Sequence, residues 1–475
     1  MKGTLAAGAA ITLPKMANAD IRGANEDIRL AVVGVGGQGS GHCKIFSKLN
    51  GVRLVAVCDA DQDHIDRRVN DFKKQGKTVK GYLDVRKLLE NKDIDAITSA
   101  TPNFWHSLVT IWACQAGKDV YIEKPVSHNI WEGRKMVEAA RKYNRIVQTG
   151  TQKRSDKGLK EAFEYMQDGK LGEIKVARGF CYKPRASIGL VKGPQTVPAS
   201  VNYNLWCGPS ALTPLRRERL HYDWHWDFET GNGDVGNQGI HEMDLCRWAL
   251  GQHKLAPRVF SYGGRFGYKD DANTPNTLVT YLDYKPAPLI FETRGLPMKK
   301  GAGRAMDNYR GTRVGICIIC EGGYFVGGVG GGWIYDNNGK RIKQFKGRGG
   351  EGHRANFIRA VRSRKVSDLN ADILEGHLSS ALCHMGNISY QIANQVSPDE
   401  IKTVSQGDAE LGDSYERFMK HMAANEVELN ATPAVLGPML TMDTNTEKFT
   451  GEHSFNANMY LKRNYRREFE VPEKV

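Results

Sequence analysis

The chain has 475 residues, of which 40% are hydrophobic and 25% are charged. This length fits two or three domains, and the composition excludes a disordered protein. The net charge is +14, but the basic residues are scattered along the chain. The densest basic group, residues 462–467, is not accompanied by a nucleic-acid-binding motif. A solvated face therefore explains it better than nucleic-acid recognition does.

The N-terminal segment 1–26 precedes the first predicted strand. Its first 19 residues read MKGTLAAGAAITLPKMANA, in which a short apolar stretch is followed by a small-residue cleavage pattern at residues 17–19. This layout is typical of a secretory signal, and it resembles the second half of a twin-arginine leader. It predicts a periplasmic or otherwise exported protein. The alternative is a disordered tail on a cytoplasmic one.

The sequence favours neither a membrane-spanning protein nor a disulfide-rich one. No apolar run reaches the roughly 20 residues that cross a bilayer. The nine cysteines are an odd number at low density, which predicts buried thiols and not a disulfide scaffold. Cys317 and Cys320 form a CxxC pair in an apolar, β-branched run, where residues three apart point to opposite faces of a strand. No second pair completes a zinc site there.

Residues 27–150 alternate between short β-rich runs and helical patterns. Strands are predicted at 28–33, 52–57, 96–99, 120–122 and 146–148, with helices near 105–116 and 130–143. Such alternation is typical of a doubly wound parallel sheet that is covered by helices on both faces. We therefore assign residues 27–150 to an N-terminal α/β domain.

The sequence changes character after residue 150, where longer loops separate the β-rich runs. Residues 337–340 (NNGK) lie between two short β-rich segments and predict a hairpin. The glycine run 327–332 leads into that hairpin and not into a helix, so it lacks the context of a phosphate-binding loop. We assign residues 151–475 to a second domain with an antiparallel or mixed sheet. From about residue 400 onward the chain is predicted to be a polar extension.

A glycine-rich motif joins the first predicted strand to a helical stretch. Its residues are Gly34, Gly36, Gly37, Gln38 and Gly39. Such glycines allow a tight turn and the close approach of a pyrophosphate to a helix N-terminus. Asp59 ends the second strand 20 residues after Gly39, where a carboxylate accepts hydrogen bonds from ribose hydroxyls. The pattern predicts NAD. NADP is less favoured, although Arg67 or Arg68 lies near in sequence.

Two further motifs follow the predicted strands at 96–99 and 120–122. The carboxyl ends of parallel strands are where such sheets bind ligands. The first motif is TPNFWH at 101–106, and the second is EKP at 123–125. We predict additional cofactor contacts from Thr101, Pro102, Asn103, His106, Glu123 and Lys124.

The glycine loop, TPNFWH and EKP, in this order and spacing, resemble the glucose-fructose oxidoreductase, inositol dehydrogenase and MocA family. The resemblance extends over most of residues 27–395, and residues 231–248 are similar to the family's second signature. It implies an N-terminal Rossmann domain and a C-terminal α/β domain with an open, mainly antiparallel sheet. It also implies a carbohydrate substrate between the two domains and a homodimer or homotetramer that associates through the open sheet face.

The resemblance also implies the catalytic residues. Lys124 would contact the reacting hydroxyl, and His241 would take its proton while hydride passes to the nicotinamide. A lysine beside a cofactor cation has a lowered pKa, and a histidine near neutrality is a suitable base. Where the family commonly has an aspartate four residues before the histidine, this chain has Asn237, which cannot stabilise an imidazolium by charge. Asp234 or Asp244 could compensate.

The substrate half of the pocket is predicted from the second domain. Residues 221–227 (HYDWHWD) combine two histidines, two acids and two tryptophans. We favour sugar contact or loop packing over metal binding for them, and we predict no metal. Substrate contacts are predicted from Gln152, Arg154, Tyr182, Trp206, Trp226, Asn237 and His241.

Together these patterns predict an NAD-dependent oxidoreductase that acts on a secondary hydroxyl of a sugar, glycoside or cyclic polyol. Oxidation of a glycoside to its 3-keto form is the sharper prediction. Export would require tightly bound NAD, because free NAD is scarce outside the cytoplasm. One alternative is an NAD-dependent glycosidase or epimerase, in which oxidation is transient and there is no net redox change. Another is a non-catalytic nucleotide-binding scaffold.

Overall fold

The structure is a computed structural model that describes residues 27–475. The predicted signal-like segment 1–26 lies outside these described residues. The first sheet consists of β1 (Ile28–Val33), β2 (Val52–Cys58), β3 (Lys80–Tyr82), β4 (Ala96–Ser99), β5 (Asp119–Ile122) and β6 (Val147–Thr149). The helices that connect its strands are α1 (Gly37–Phe46), α2 (Gln62–Lys73), α3 (Val85–Leu89), α4 (His106–Gln115) and α5 (Ile130–Lys142).

The first sheet is parallel and doubly wound, as predicted. Its strand order is β3-β2-β1-β4-β5-β6, and every neighbouring pair is parallel. The order reverses between β1 and β4, which opens a crevice at the carboxyl ends of these two strands. Leu30, Ala31 and Val32 are buried on both faces of β1, as a sheet covered by helices on each side requires.

Capping side chains fix where the connecting helices begin. Asp61 precedes α2 and accepts a hydrogen bond from the Asp63 amide, and Asn129 precedes α5 and accepts one from the Glu132 amide. Each of these caps satisfies an amide that has no partner within its helix. The capped turns therefore lie at fixed positions beside the crevice.

The second domain is built on a mixed, mainly antiparallel sheet. Its strands are β7 (Ile174–Tyr182), β8 (Arg258–Gly264), β9 (Thr277–Leu282), β10 (Leu289–Arg294), β11 (Val314–Cys320), β12 (Gly323–Gly328), β13 (Gly331–Tyr335), β14 (Arg341–Lys346), β15 (Asn394–Val396), β16 (Ala434–Leu436), β17 (Leu440–Asp443) and β18 (Lys448–Thr450). The main path runs β14-β13-β12-β11-β7-β10-β9-β8-β16-β15. The β7–β10 pair is parallel, and the other pairs on this path are antiparallel.

The remaining helices are α6 (Lys157–Gln167), α7 (Tyr203–Cys207), α8 (Leu220–Asp223), α9 (Gly233–Asn237), α10 (Gly239–Ala249), α11 (His353–Ser363), α12 (Ile373–Gln391), α13 (Pro398–Ser405), α14 (Ala409–Ala424) and α15 (Ser454–Asn458). Helices α10 and α12 pack on one face of the second sheet, and α12 also contacts α5 of the first domain. None of the helices in the described part of the chain combines the length and apolarity that a bilayer crossing needs.

The glycine run 327–332 forms the tight turn between β12 and β13. Gly331 has a φ of +94°, and a Cβ there would come within 1.9 Å of the Phe345 carbonyl oxygen. Only glycine fits this conformation without strain. The run is thus a hairpin turn and not a phosphate-binding loop, as the sequence predicted. All nine cysteines lie among the described residues, and each is buried and unpaired.

The prediction of a polar extension from about residue 400 is wrong. Helices α13 and α14 bury Ile401, Leu411, Phe418 and Met422 against the outer face of the second sheet. Farther on, the segment that contains Phe469 and Val471 returns to the first domain and packs into its core. These C-terminal residues are integral parts of both domains.

Candidate active site

A cavity of about 790 Å³ lies between the two domains, where the strand order of the first sheet reverses. Its floor is formed by the glycine loop and by the residues that follow β4 and β5. Its opposite wall comes from residues 205–241 of the second domain. The volume lies within the range of about 300–1,000 Å³ that is usual for small-molecule sites.

The glycine loop is shaped to hold a pyrophosphate. Gly34 has a φ of +76°, and a Cβ there would lie 2.7 Å from the Thr101 amide nitrogen. A Cβ at Gly39 would lie 1.7 Å from the Gly34 carbonyl oxygen. A Cβ at Gly37, in contrast, would meet nothing within 4 Å, so the first turn of α1 faces open space in the cavity. Free amides at such a helix N-terminus bind phosphate oxygens.

Asp59 lines the cavity beside the glycine loop, at the end where the sequence predicts the adenosine ribose and which we therefore call the adenosine end. Its carboxylate accepts hydrogen bonds from the amides of Val35, at 2.7 Å, and Asp61, at 3.1 Å. These bonds hold the carboxylate beside the glycine loop, where a ribose diol would lie. Arg67 and Arg68 also line this end, and Arg68 donates to the Ser40 hydroxyl at 3.0 Å.

The residues after β4 line the cavity and are fixed by contacts with the other motifs. Thr101, Pro102, Asn103 and His106 are all lining residues. Asn103 donates from its side chain to the Asn232 side-chain oxygen, at 2.6 Å, and so connects the two domains. The ring nitrogens of His106 lie 2.6 Å from the Pro125 carbonyl and 2.9 Å from the Thr101 carbonyl. His106 thus holds the two motifs against each other.

Glu123 is buried beneath the cavity and is bound to the glycine-loop side. Its Oε1 lies 2.9 Å from His42 Nε2 and accepts a hydrogen bond from the Gln38 amide group at 3.1 Å. His42 Nδ1 lies 2.6 Å from the Thr98 hydroxyl. Burial favours protonation of Glu123, but the contacts with His42, Lys124 and Gln38 outweigh it and hold its pKa well below the usual range. His42 is not among the residues predicted from the sequence, although its position three residues after Gly39 on α1 could have indicated it.

Lys124 and His241 line the same cavity from opposite domains. Lys124 Nζ donates to the backbone carbonyl of Asn237 at 2.6 Å. Burial lowers the pKa of Lys124. His241 is 7% exposed, and its Nδ1 is buried without a hydrogen-bond partner among the described residues. Such an orphaned polar atom beside a cavity fits a ligand hydroxyl.

The two acids that could have compensated for Asn237 are bound elsewhere. Asp234 accepts two hydrogen bonds from Arg185, both at 2.6 Å. Asp244 accepts from Arg154 at 2.9 Å and from the Ser379 hydroxyl at 2.7 Å. Burial, together with the positive charges of Lys124 and Lys153, therefore lowers the pKa of His241 well below its usual value. The lowered pKa favours the neutral imidazole.

Four of the residues predicted to contact substrate line the cavity, and three do not. The lining residues are Gln152, Trp206, Asn237 and His241. We correct the prediction for Arg154, Tyr182 and Trp226, which lie outside it. Arg154 is buried in ion pairs with Asp244 and Glu375.

Tyr182 and Trp226 are each turned away from the cavity for a different reason. Cys181 of β7 faces the core that contains α10, so its neighbour Tyr182 points to the outer face of the sheet. There the Tyr182 hydroxyl donates to Glu292 at 2.6 Å. Trp226 is 5% exposed and lies beneath the Arg185 guanidinium.

Neighbours of Trp226 provide the aromatic lining instead. Tyr222, Trp224 and His225 all line the cavity. The rings of Trp224 and His225 are stacked, with their centroids 3.7 Å apart. The motif HYDWHWD indicated an aromatic contribution to the pocket, but the sequence did not show which of its aromatic residues line the cavity. This stacked pair, Trp224 and His225, is called the aromatic platform below.

Comparison with known proteins agrees with this geometry. Residues 28–151 match the model of an oxidoreductase family with an NAD-binding Rossmann fold, and residues 171–283 match the model of that family's C-terminal α/β domain. The WlbA dehydrogenase from Bordetella pertussis, solved with NADH and UDP-GlcNAcA, has a similar fold, with a TM-score of 0.55 at 19% identity over 75% of this chain and 94% of that one.

Two curated relatives are similar over shorter segments. Myo-inositol 2-dehydrogenase from Thermotoga maritima is 29% identical over 151 residues, which are 32% of this chain and 44% of the relative. Glycosyl hydrolase family 109 protein 1 from a Shewanella species is 34% identical over 120 residues, or 24% of this chain and 26% of the relative. The matches thus span half or less of these relatives. The predicted fold class and NAD as the cofactor are confirmed, and the chain belongs to the glucose-fructose oxidoreductase, inositol dehydrogenase and MocA family of NAD-binding oxidoreductases.

Proposed function

We propose that this protein oxidises a secondary hydroxyl of a sugar, glycoside or cyclic polyol with NAD, and that its substrate is a glycoside converted to the 3-keto form. The observation that carries the proposal is the convergence of Lys124 and His241 on one cavity whose floor is the glycine loop. The names of the two curated relatives, an inositol dehydrogenase and a glycosyl hydrolase, support a polyol or glycoside as substrate.

The residues described above would hold NAD along the floor of the cavity. The amides of the glycine loop would bind the pyrophosphate, and Asp59 would bind the adenosine ribose. When bound, the nicotinamide supplies the hydride acceptor. Glu123, which stays ionised beneath the cavity, would provide a negative charge near the nicotinamide cation.

Lys124 would accept the proton of the reacting hydroxyl. Burial disfavours the cation of His241, and no carboxylate among the described residues forms a hydrogen bond with its ring. Lys124 has a lowered pKa, and its neutral amine has a lone pair for the proton. The resulting ammonium would keep its hydrogen bond to the Asn237 carbonyl. His241 would orient the hydroxyl through a hydrogen bond. This assignment reverses the proton-transfer role that the family resemblance implied for His241.

The aromatic platform supports a cyclic substrate. Stacked apolar faces with a few polar groups around them are common in small-molecule sites. Trp224 and His225 line the cavity, and Gln152 and Asn237 are among the amide side chains that line it with them. A sugar ring on the platform would have hydroxyl partners on both sides.

A redox-neutral cycle is the second candidate, and a contact over the adenosine end favours it. The Gln62 amide donates to the Ser200 carbonyl at 2.9 Å, and the Asn202 amide donates to the Ala60 carbonyl at 2.8 Å. These bonds fasten the second domain across the adenosine end and support retention of NAD between turnovers. Retained NAD suits transient oxidation followed by elimination or epimerisation.

Association and export remain proposals of their own. We propose a homodimer or homotetramer. Because α13 and α14 cover the outer face of β7–β10, contact through the sheet would use the strands β11–β14. Sedimentation velocity would measure the assembly.

We also propose export on the basis of residues 1–19, and an intact Met1 in a cytosolic fraction of the native host would contradict it.

Nucleotide release tests the proposed function. Purified protein is denatured, and any released nucleotide is identified by mass spectrometry before and after incubation with a panel of glycosides and polyols. We expect NAD that becomes NADH with one substrate class, or a cleaved or epimerised product without net reduction. Lys124→Ala should reduce turnover by about 10²- to 10⁴-fold, whereas Lys157→Ala, on a side chain that is 83% exposed, should not. Bound NAD with no turnover on any substrate would favour the scaffold alternative.

A further inference from the structure

Three side chains of metal-ligating type meet where the second domain touches the adenosine end of the cavity. Asp61 and His64 lie at the start of α2, and His221 lies in α8. One ligand atom of each residue lies within 4.8 Å of the others. Asp61 Oδ2 is 2.9 Å from His221 Nε2 and 3.8 Å from His64 Nε2. Ligand atoms around a tetrahedral zinc ion are about 3.3 Å apart, so little movement is needed to bind one.

Polar neighbours surround the proposed ligands. Asp61 Oδ1 accepts the Asp63 amide as the cap of α2, at 3.0 Å, and Asp61 Oδ2, which lies 2.9 Å from His221 Nε2, is the oxygen that would face an ion. His64 Nδ1 lies 3.3 Å from Asp59 Oδ2. A carboxylate behind the outer nitrogen of a metal-binding histidine orients the ring and raises its basicity as a ligand.

His221, the third proposed ligand, belongs to the second domain, and it meets Asp61 and His64 where the two domains are already in contact. The main-chain bonds from Gln62 to Ser200 and from Asn202 to Ala60 lie beside Asp61 on the same loop. The His64 and His221 rings lie close together, with their centroids 4.6 Å apart and their planes tilted by 43°. Binding an ion here therefore requires side-chain adjustment and no domain movement.

We propose that Asp61, His64 and His221 bind one divalent transition-metal ion, and that the ion joins the two domains over the adenosine end of the cavity. Two imidazoles and one carboxylate favour zinc among the common ions. Water fills the fourth position. The ion has a structural role, because its ligands lie beside the ribose-binding Asp59 and not beside Lys124. The proposal departs from the prediction of no metal that the sequence analysis made.

Charged side chains surround the two histidines. His64 faces the carboxylates of Asp59 and Asp61 and the guanidinium of Arg67, and His221 faces Asp61.

Zinc titration of the full chain without an affinity tag tests the proposal. The protein is treated with EDTA, dialysed, and titrated with ZnCl₂ by calorimetry without added nucleotide, and bound zinc is counted by mass spectrometry. We expect one equivalent per chain. His64→Gln and His221→Gln should each weaken zinc binding by at least about tenfold, since even outer-shell changes do so by 10- to 100-fold. The matched control His253→Gln, at an exposed histidine, should bind like the parent protein.

His221→Gln is the decisive variant, because its partly exposed side chain can be replaced without disturbing the core. Circular dichroism of each variant verifies folding. Absence of stoichiometric zinc in the parent protein would overturn the proposal, and so would unchanged zinc affinity in folded His221→Gln. Neither outcome depends on whether the protein oxidises a sugar.

Discussion

Lys124 is the residue whose protonation state the proposed reaction depends on most directly. Its pKa is lowered by burial, so its neutral form becomes available at a lower pH than for an exposed lysine. We expect kcat/KM to rise with pH as Lys124 loses its proton. His241→Asn should lower kcat but keep this rise, whereas Lys124→Ala should abolish it. A pH profile of both variants checks the assignment, and a rise that persists in Lys124→Ala would contradict it.

Glu123 makes a separate prediction about stability. Its folded-state pKa is depressed, so its contribution to the free energy of unfolding is present above the unfolded-state pKa of about 4.3 and is lost as the pH falls toward the folded-state value. Glu123→Gln should lower the free energy of unfolding by about 1–3 kcal/mol at pH 7, because His42 loses its buried partner.

The difference between Glu123→Gln and the parent protein should shrink when the pH is lowered below about 4.3. Urea denaturation at a series of pH values measures it. Glu416→Gln, at an exposed glutamate, is the matched control and should change little. A constant difference down to acidic pH would mean that Glu123 acts through packing and not through its charge.

Among individual residues, the sequence identified those that belong to motifs with a characteristic spacing. Three of the motif glycines, Asp59, Lys124 and His241 reach the cavity because strand ends and a helix start determine their positions, whereas Gly39 packs against the Gly34 carbonyl. Tyr182 could not be assigned in the same way. Its side depends on the register of β7, where a shift of one residue exchanges Cys181 and Tyr182 between the two faces. No local pattern in the sequence determines that register.

Among the helices and strands, α14 differs most clearly from the prediction, because its residues were expected to form a polar extension. It covers the outer sheet face with Leu411, Phe418 and Met422, and Phe418 is 1% exposed. Phe418→Ala should lower the free energy of unfolding by about 3–5 kcal/mol, because it leaves a cavity in the core. Val404→Ala, at a side chain of α13 that is 45% exposed, should change it by about 0.5 kcal/mol or less. Urea unfolding of both variants provides the comparison.

The helix could have been predicted from the sequence. Leu411, Ser414, Phe418 and Met422 recur at spacings of three and four residues, which is the period of one helix face. Asp408 caps its first turn by accepting from the amides of Glu410 and Leu411. The surface that this face covers could not be predicted, because the outer side of the second sheet is formed by strands far away in sequence.

For the whole molecule, the two domains are interleaved along the chain. Helix α11 belongs to the second half of the sequence, yet Phe357 and Ile358 pack on the first sheet against Phe46 and Tyr121. The centroids of the Phe357 and Tyr121 rings are 5.9 Å apart. The boundary at residue 150 therefore divides the chain between β6 and β7, but it does not divide the hydrophobic cores of the two domains.

A fragment of residues 27–150 tests this interleaving. Without α11 and the segment around Phe469, the fragment would expose Phe46, Tyr121 and Trp105. We expect it to bind a hydrophobic dye such as ANS and to unfold without a sharp transition. The full chain should unfold cooperatively without dye binding. A sharp urea transition of the isolated fragment would show that its core is complete without the later segments.

The interleaving also limits how this protein can be recombined with its relatives. A chimaera that takes only the nucleotide-binding half from one relative would pair its sheet with a foreign α11 and a foreign C-terminal segment. Aromatic contacts such as those of Phe46 with Phe357 and of Trp105 with Phe469 would then join side chains from different parents. A functional exchange must transfer the first 150 residues, α11 and the region around Phe469 as one unit, although they are separated in the gene.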